Sequence, residues 1–113
     1  MQYEVRITNQ AQDQLRSIRN YIAQDLASPQ AAADTLRALR DAMASFARMS
    51  NRVRLVDKEP WRSEGIRMCI VGNFLIYLWV NESEKTVQII AVCYARRDRS
   101  KVLAQIDVDL GGF

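Results

Sequence analysis

Apolar side chains recur with two different periods in the first half of the chain. From Tyr3 to Ile7 every second residue is apolar, which is the period of a strand with one buried face. In the next two segments the apolar residues are three or four positions apart, as in amphipathic helices. These residues are Ala11, Leu15, Ile18, Ile22 and Leu26 in the first segment, and Ala32, Leu36, Leu39, Met43 and Phe46, continued by Met49, in the second. The pattern predicts a strand followed by a helical hairpin.

Residues that favour helix starts precede both predicted helices. Thr8 or Asn9 can cap the first helix with a side-chain oxygen. Ser28 can cap the second, and Pro29 then takes the first helical position, where its missing N–H costs nothing. We therefore expect a short turn between the two helices.

The second half of the chain contains three runs rich in β-branched and aromatic residues, which predict strands. The runs are Ile66–Val71, Phe74–Val80 and Val87–Tyr94. Gly72-Asn73 predicts a tight turn between the first two, and residues 81–85 predict the next loop. We expect strands buried on much of both faces, as in the centre of an antiparallel sheet.

Two weaker elements complete the predicted order. Residues 52–56 can form a short strand, and residues 99–106 a short last helix. The order predicts a single α+β domain, βααβββ(α), with the hairpin packed on one face of a small antiparallel sheet. We expect this domain to span residues 1–106 and the acidic, glycine-rich segment 107–113 to be a frayed tail.

Composition removes several classes of function. The chain of 113 residues has no histidine, and its two cysteines make a poor zinc site, so we expect neither a metal nor a cofactor. We interpret Cys69 and Cys93 as two buried thiols rather than a disulfide. No apolar run approaches the roughly 20 residues that cross a bilayer. The N-terminus lacks a signal-peptide pattern, so we expect a cytoplasmic protein without a membrane partner.

Cations concentrate where the last predicted strand ends. Residues 52–101 carry ten Lys/Arg against six Asp/Glu, and four of these cations follow the strand directly. Tyr94 precedes Arg96, Arg97 and Arg99, a group that could bind phosphate, a base or an acidic protein. Alternatively, the arginines only keep the strand end soluble while Tyr94 packs in the core.

Three further residues are candidates for a recognition surface. Arg67 is a charge inside an apolar strand and needs water, a ligand or a salt bridge, for which Glu64 and Asp98 are the available carboxylates. Trp61 and Arg62 precede that strand and could belong to the same surface. Alternatively, Trp61 packs against the edge of the sheet.

Two blocks of the sequence resemble the RelE/ParE superfamily of toxins. Residues 64–77 resemble the ParE pattern Gly-x-Arg, Val-Gly-Asn, aromatic, Leu-Ile, aromatic. Residues 92–98 resemble its strand end, in which a tyrosine or histidine precedes Arg-Asp. Thr8-x-x-Ala11, Tyr21-Ile22 and Pro29-x-Ala31-Ala32 match the opening of the family. The resemblance covers about Tyr3 to Leu103.

The resemblance implies the toxin of a type II toxin–antitoxin system, with a cognate antitoxin that folds onto its grooves. Two activities are known in the superfamily: RelE-like members cleave mRNA in the ribosome, and ParE-like members poison DNA gyrase. The nuclease branch has an arginine where this chain has Phe74, and a tyrosine where it has Leu103. Arg97 alone matches a nuclease cation.

The resemblance therefore favours growth inhibition through gyrase, without deciding whether the chain is an enzyme. In that case the target contacts would be Arg67, Tyr94 and the strand-end arginines Arg96, Arg97 and Arg99, together with Trp61 and Arg62. A RelE-like nuclease would use Arg67, Tyr94 and Arg97. A third possibility is a non-toxic module that only binds nucleic acid or protein.

Overall fold

The computed structural model describes residues 2–96 and 99–106, and residues 99 and 100 by their main chain only. Its elements follow the predicted order. The strands are β1 (Glu4–Ile7), β2 (Arg67–Val71), β3 (Phe74–Asn81) and β4 (Thr86–Tyr94). The helices are α1 (Asn9–Asn20), α2 (Pro29–Met49) and α3 (Arg99–Ala104), with a π-helical segment over Tyr21–Asp25 and a 3₁₀ turn over Ser50–Arg52. No helix in these ranges is both long and apolar enough to span a membrane.

The four strands form one sheet in the order β1-β4-β3-β2. β2, β3 and β4 are antiparallel neighbours, as predicted, and Gly72 makes the first turn with a φ of 58°. β1, however, pairs with β4 in parallel, so the prediction of a wholly antiparallel sheet is corrected at this edge. The physical reason is the path of the chain across the sheet. The helical hairpin carries the chain from β1 to the far edge, where β2 lies. The two turns after β2 and β3 then bring β4 back alongside β1 in the same direction.

Both predicted helix caps form. The Thr8 hydroxyl accepts a hydrogen bond from the Ala11 N–H at 3.2 Å, and the Ser28 hydroxyl accepts one from the Ala31 N–H at 3.3 Å. These bonds satisfy donors that the first turn of a helix leaves without partners. The hairpin therefore begins and turns where the sequence predicts.

Two residues of the predicted apolar stripes are not in the core. Leu26, assigned to the first stripe, is 56% exposed because the chain leaves helical geometry after the π-helical segment. Met49, which continues the spacing of Met43 and Phe46, is 45% exposed at the last residue of α2. The other predicted members of both stripes are buried.

The sheet is covered on both faces, which divides the core in two. The hairpin covers one face, where strand residues such as Ile76, Ile89 and Val92 are buried. The other face carries a second cluster that includes Tyr77 and Cys93. Its cover comes from side chains of the 53–66 segment and of the chain around α3, namely Val56, Trp61, Ile66, Val102, Leu103 and Ile106.

The predicted short strand at residues 52–56 reduces to one bridge. Leu55 pairs with Arg67, and the Met68 N–H donates to the Arg54 carbonyl at 3.0 Å. This short pairing covers the N-terminal half of the outer edge of β2. It also turns the 53–66 segment back across the sheet.

A substitution at Thr8 tests how the hairpin is joined to the sheet. The Thr8 hydroxyl caps α1 and also donates to the Ile90 carbonyl of β4 at 3.1 Å, whereas the Ser28 hydroxyl only caps α2. We expect Thr8→Ala to lower the free energy of unfolding by about 2 kcal/mol, and Ser28→Ala by about 1 kcal/mol. Urea denaturation of the two variants measures the difference.

Thr8→Ser is the matched control, because it retains the hydroxyl, and it should unfold near the wild-type midpoint. Equal losses in Thr8→Ala and Ser28→Ala would mean that the bond to β4 contributes nothing to stability.

Candidate functional site

The C-terminal half of β4 extends beyond its neighbour β1. The parallel pairing ends at Ile7 opposite Ile89, while β4 continues to Tyr94. Beyond the end of β1, side chains form hydrogen bonds with the main chain of β4. The Thr8 hydroxyl donates to the Ile90 carbonyl, and the Val92 N–H donates to Gln14 Oε1 at 2.7 Å. The first turns of α1 are thereby fixed against the end of β4.

An open groove of about 630 Å³ lies beside this end of β4. One wall is formed by a face of α1 and the start of the π-helical segment, and the other by the strand end and Val102 of α3. The polar lining comes from α1. The lining residues are Gln10, Asp13, Gln14, Ser17, Ile18, Tyr21, Val92, Cys93, Tyr94 and Val102.

Three aromatic rings meet at the end of the groove. Tyr94 packs against Phe74 with ring centroids 4.7 Å apart, and Tyr21 approaches Tyr94 edge-on at 6.3 Å with an interplanar angle of 87°. Phe74 is buried, but Tyr21 is 38% exposed. Tyr21 is the first residue of the π-helical segment, a type of distortion that is often found at functional sites.

The sequence did not identify Tyr21 as a site residue. Tyr21-Ile22 contributes to the prediction only through the family resemblance. The position of Tyr21 relative to Ile18 and Ile22 does not indicate that it lies against β4. The available signal was an aromatic residue just off the apolar stripe of α1.

Arg96 lies just beyond the strand end, and it is exposed. The Ala95 N–H donates to the Asn73 carbonyl at 2.9 Å, which ties the chain before Arg96 to the β2–β3 turn. Tyr94 and Arg96 therefore share one end of the sheet. Arg97 and the side chain of Arg99 lie outside the described residues.

Arg67 is not part of this group. It begins β2 and pairs with Leu78, whereas Tyr94 pairs with Phe74 at the other end of β3. Phe74 and Leu78 are four positions apart on β3, which is about 13 Å at a rise of about 3.3 Å per residue. Arg67 Nη1 donates to the Val53 carbonyl at 2.6 Å. The predicted alternative of a salt bridge to Glu64 does not form, and Asp98 lies outside the described residues.

Trp61 and Arg62 each donate a hydrogen bond to the main chain of a segment that covers the second core. Trp61 Nε1 donates to the Ile106 carbonyl at 3.3 Å, and its ring packs on the cluster beneath the sheet. Trp61 therefore packs on the face of the sheet that carries the second core, and not on the edge of the sheet as in the predicted alternative. Arg62 Nη1 donates to the Val56 carbonyl at 3.2 Å and lies 4.0 Å from Asp57.

The two positions that distinguish the nuclease branch are both apolar and buried. Phe74 is 8% exposed on the hairpin face, and Leu103 is 5% exposed in the second core, on the opposite face. Neither offers a charge or a proton donor to a phosphate. Within residues 2–96 and 99–106, no three His, Cys, Asp or Glu side chains are grouped as a metal site.

The two cysteines lie on opposite faces of the sheet. Cys69 packs at the margin of the hairpin core and is partly exposed, so the expectation that both thiols are buried is corrected for Cys69. Cys93 is buried in the second core. The sheet separates the two side chains and no disulfide joins them, so the prediction of two thiols rather than a disulfide is confirmed.

The family assignment rests on a comparison of the sequence with models of protein families. Residues 5–99 match the model described as the ParE toxin of the type II toxin–antitoxin system parDE. The chain belongs to the ParE toxin family. The match runs from Val5 in β1 to Arg99, and it confirms the resemblance found from the sequence.

Solved structures share the fold at low sequence identity. A chain of the chromosomal ParDE toxin–antitoxin system from P. aeruginosa superposes with a TM-score of 0.68 and 18% identity, covering 82% of this chain and 96% of that chain. A chain of the RelBE2 toxin–antitoxin complex from Mycobacterium tuberculosis gives a TM-score of 0.59 and 20% identity, covering 83% and 99%. A search of curated proteins gave no match. The ParE toxin fold is therefore present in this chain.

The two thiols give a prediction on reactivity. Burial raises the pKa of the Cys69 thiol, and the thiolate is the reactive form. We expect native protein to be alkylated by iodoacetamide at Cys69 before Cys93. The native rate at Cys69 should keep increasing to a higher pH than the rate for the same thiol in urea-unfolded protein. Peptide mapping by mass spectrometry measures both sites.

Cys69→Ser is the control, and it should take up no label until it is unfolded. Labelling of native protein at Cys93 first would contradict the placement of these residues on the two faces.

Proposed function

We propose that this ParE-family toxin arrests bacterial growth by binding DNA gyrase as a protein ligand, without cleaving RNA. The observation that carries the proposal is the burial of Phe74 and Leu103. RNA cleavage needs a group to move a proton and a charge to stabilise the phosphate. The nuclease branch supplies these groups at the two positions that are apolar here and packed into separate cores.

The surface around Tyr94 supports protein recognition. Aromatic and arginine side chains contribute most of the binding energy in protein interfaces, because they combine a large contact area with directed polar groups. Tyr21, Tyr94 and Arg96 provide this composition beside an open groove. Arg97 and Arg99 follow directly in the sequence, and we include them in the proposed contact surface.

Arg67, Trp61 and Arg62 have a different role in this proposal. Each donates a hydrogen bond to a main-chain carbonyl and thereby fixes the segment around it. We infer that these residues stabilise the segments next to the contact surface, although the sequence predicted them as target contacts.

The proposal includes a cognate antitoxin and a cytoplasmic site of action. The fold neighbours are chains of ParDE and RelBE toxin–antitoxin assemblies, and gyrase acts on DNA in the cytoplasm. The antitoxin would keep the toxin inactive until the antitoxin is lost.

The test is a supercoiling assay with purified toxin and purified gyrase. We expect the wild-type toxin to inhibit supercoiling or to trap gyrase–DNA cleavage complexes. Arg96→Gln and Tyr21→Ala should each raise the toxin concentration needed by about tenfold or more, since losses near 1.4 kcal/mol are common at such contacts.

Arg48→Gln is the matched control, because Arg48 is an exposed arginine in the last turn of α2, outside the groove. It should inhibit as the wild type does. If the purified toxin instead degrades a translated mRNA, and Arg97→Ala abolishes this, the protein is a ribosome-dependent nuclease. Robust soluble expression without growth arrest would leave only a non-toxic binding module.

A further inference from the structure

The groove at Tyr94 lies along an open edge of the sheet. β1 pairs with β4 only as far as Ile89, and no described strand lies beside the rest of β4 on that side. The groove is lined there by Val92, Cys93 and Tyr94. It therefore occupies the position that a longer β1, or another strand, would take.

The main chain of Val92 and Tyr94 faces this groove. The Ala95 N–H donates to the Asn73 carbonyl next to β3, and successive residues of an antiparallel pair direct their main-chain groups to opposite sides. Cys93 therefore faces β3 like Ala95, whereas Val92 and Tyr94 face away from β3.

The polar main-chain groups of Val92 are only partly satisfied by the described chain. Its N–H donates to Gln14 Oε1 at 2.7 Å. Its carbonyl accepts no hydrogen bond from any atom that the structure describes, although Val92 is only 1% exposed. A buried carbonyl without a partner is costly, so a donor that enters the groove would be bound favourably there.

The two walls of the groove match the alternation of side chains along a strand. On the hairpin side, the wall presents the polar side chains of Gln10, Gln14 and Ser17 from α1. On the other side of the sheet, Cys93 and Val102 belong to the second core. Because the side chains of a strand point alternately to the two faces of a sheet, a strand beside β4 would place every second residue against each wall. The groove therefore fits a segment in which polar and apolar residues alternate.

We propose that this groove receives an extended segment of the target protein, which pairs with β4 as an added strand. The inference rests on the proposed function and specifies how gyrase is held. The segment donates an N–H to the Val92 carbonyl and replaces Gln14 at the Val92 N–H. Main-chain bonds of this kind supply affinity, and the alternating side chains supply specificity. Tyr21 and Arg96 then contact the residues that flank the paired stretch.

The groove favours an extended peptide over a helix or a nucleic acid. The main chain of a helix is satisfied internally and has no donor for the Val92 carbonyl. A nucleic acid needs cations to neutralise its phosphates, and no lysine or arginine is among the described residues that line the groove. The lining instead includes the carboxylate of Asp13.

The first test blocks the groove and measures supercoiling by purified gyrase. Ser17 is exposed on the α1 wall, so Ser17→Trp fills the space that the added strand would occupy. We expect this variant to raise the toxin concentration needed for inhibition by about tenfold or more. Ala44→Trp is the matched control, because Ala44 is exposed on α2 outside the groove, and it should inhibit as the wild type does. Both variants should unfold near the wild-type urea midpoint.

The second test identifies the bound segment without blocking the groove. The photo-crosslinking residue p-benzoylphenylalanine, placed at Gln10 on the α1 wall, should capture one segment of purified gyrase, and the same residue at Ala44 should capture none. A synthetic peptide of the captured sequence should relieve inhibition by the wild-type toxin. N-methylation of the peptide should abolish this effect at every second residue, because a strand bonds to one neighbour through alternate residues.

The possible results separate the inference from the proposed function. Wild-type inhibition by Ser17→Trp, or no captured gyrase segment at position 10, would exclude the groove as the contact. N-methylation losses that do not recur at every second residue would exclude an added strand. Crosslinks to the DNA of the gyrase–DNA complex would make the groove a nucleic-acid site instead. A wild-type toxin without effect on gyrase would contradict the proposed function itself, whereas the other results contradict only the added strand.

Discussion

β4 is buried from both sides of the sheet, by the helical hairpin on one face and by the 53–66 segment with α3 on the other. A strand in this position has no water to satisfy its main chain, so each buried polar group needs a partner in the protein. β3 and β1 supply most of these partners. Where β1 ends, Thr8 and Gln14 of the hairpin bond to the main chain of Ile90 and Val92. The same bonds hold the end of β4, from which Tyr94 and Arg96 are presented.

The elements of the fold could be predicted because their signals are local. Caps at Thr8 and Ser28, and the alternation of apolar residues, are properties of neighbouring positions. The parallel pairing of β1 could not be read in the same way, because alternation shows which face of a strand is buried but not which strand lies beside it. The prediction that Leu26 and Met49 are buried was wrong for a related reason. The apolar spacing continues in the sequence beyond the residue at which the helix ends or changes its geometry.

The candidate site was predicted in part. Tyr94 and Arg96 were found because they follow one another along the chain at the end of a strand. The prediction also grouped Arg67 with them, whereas the strand directions separate Arg67 from Tyr94 along the sheet. Two successive hairpin turns make β2 and β4 run in the same direction. Arg67 at the start of β2 and Tyr94 at the end of β4 therefore lie at opposite ends of the sheet. Tyr21 needed the tertiary structure, since only the packing of α1 on β4 brings it to Tyr94.

The faces of α1 link the core to the candidate site. One face is buried in the core, and a second borders the groove at Tyr94. On this second face Gln14 accepts the bond from the Val92 N–H, and at the end of the helix Tyr21 packs edge-on against Tyr94. The helix that covers the sheet therefore also fixes the strand end, so a change on the buried face of α1 would disturb the groove together with the fold.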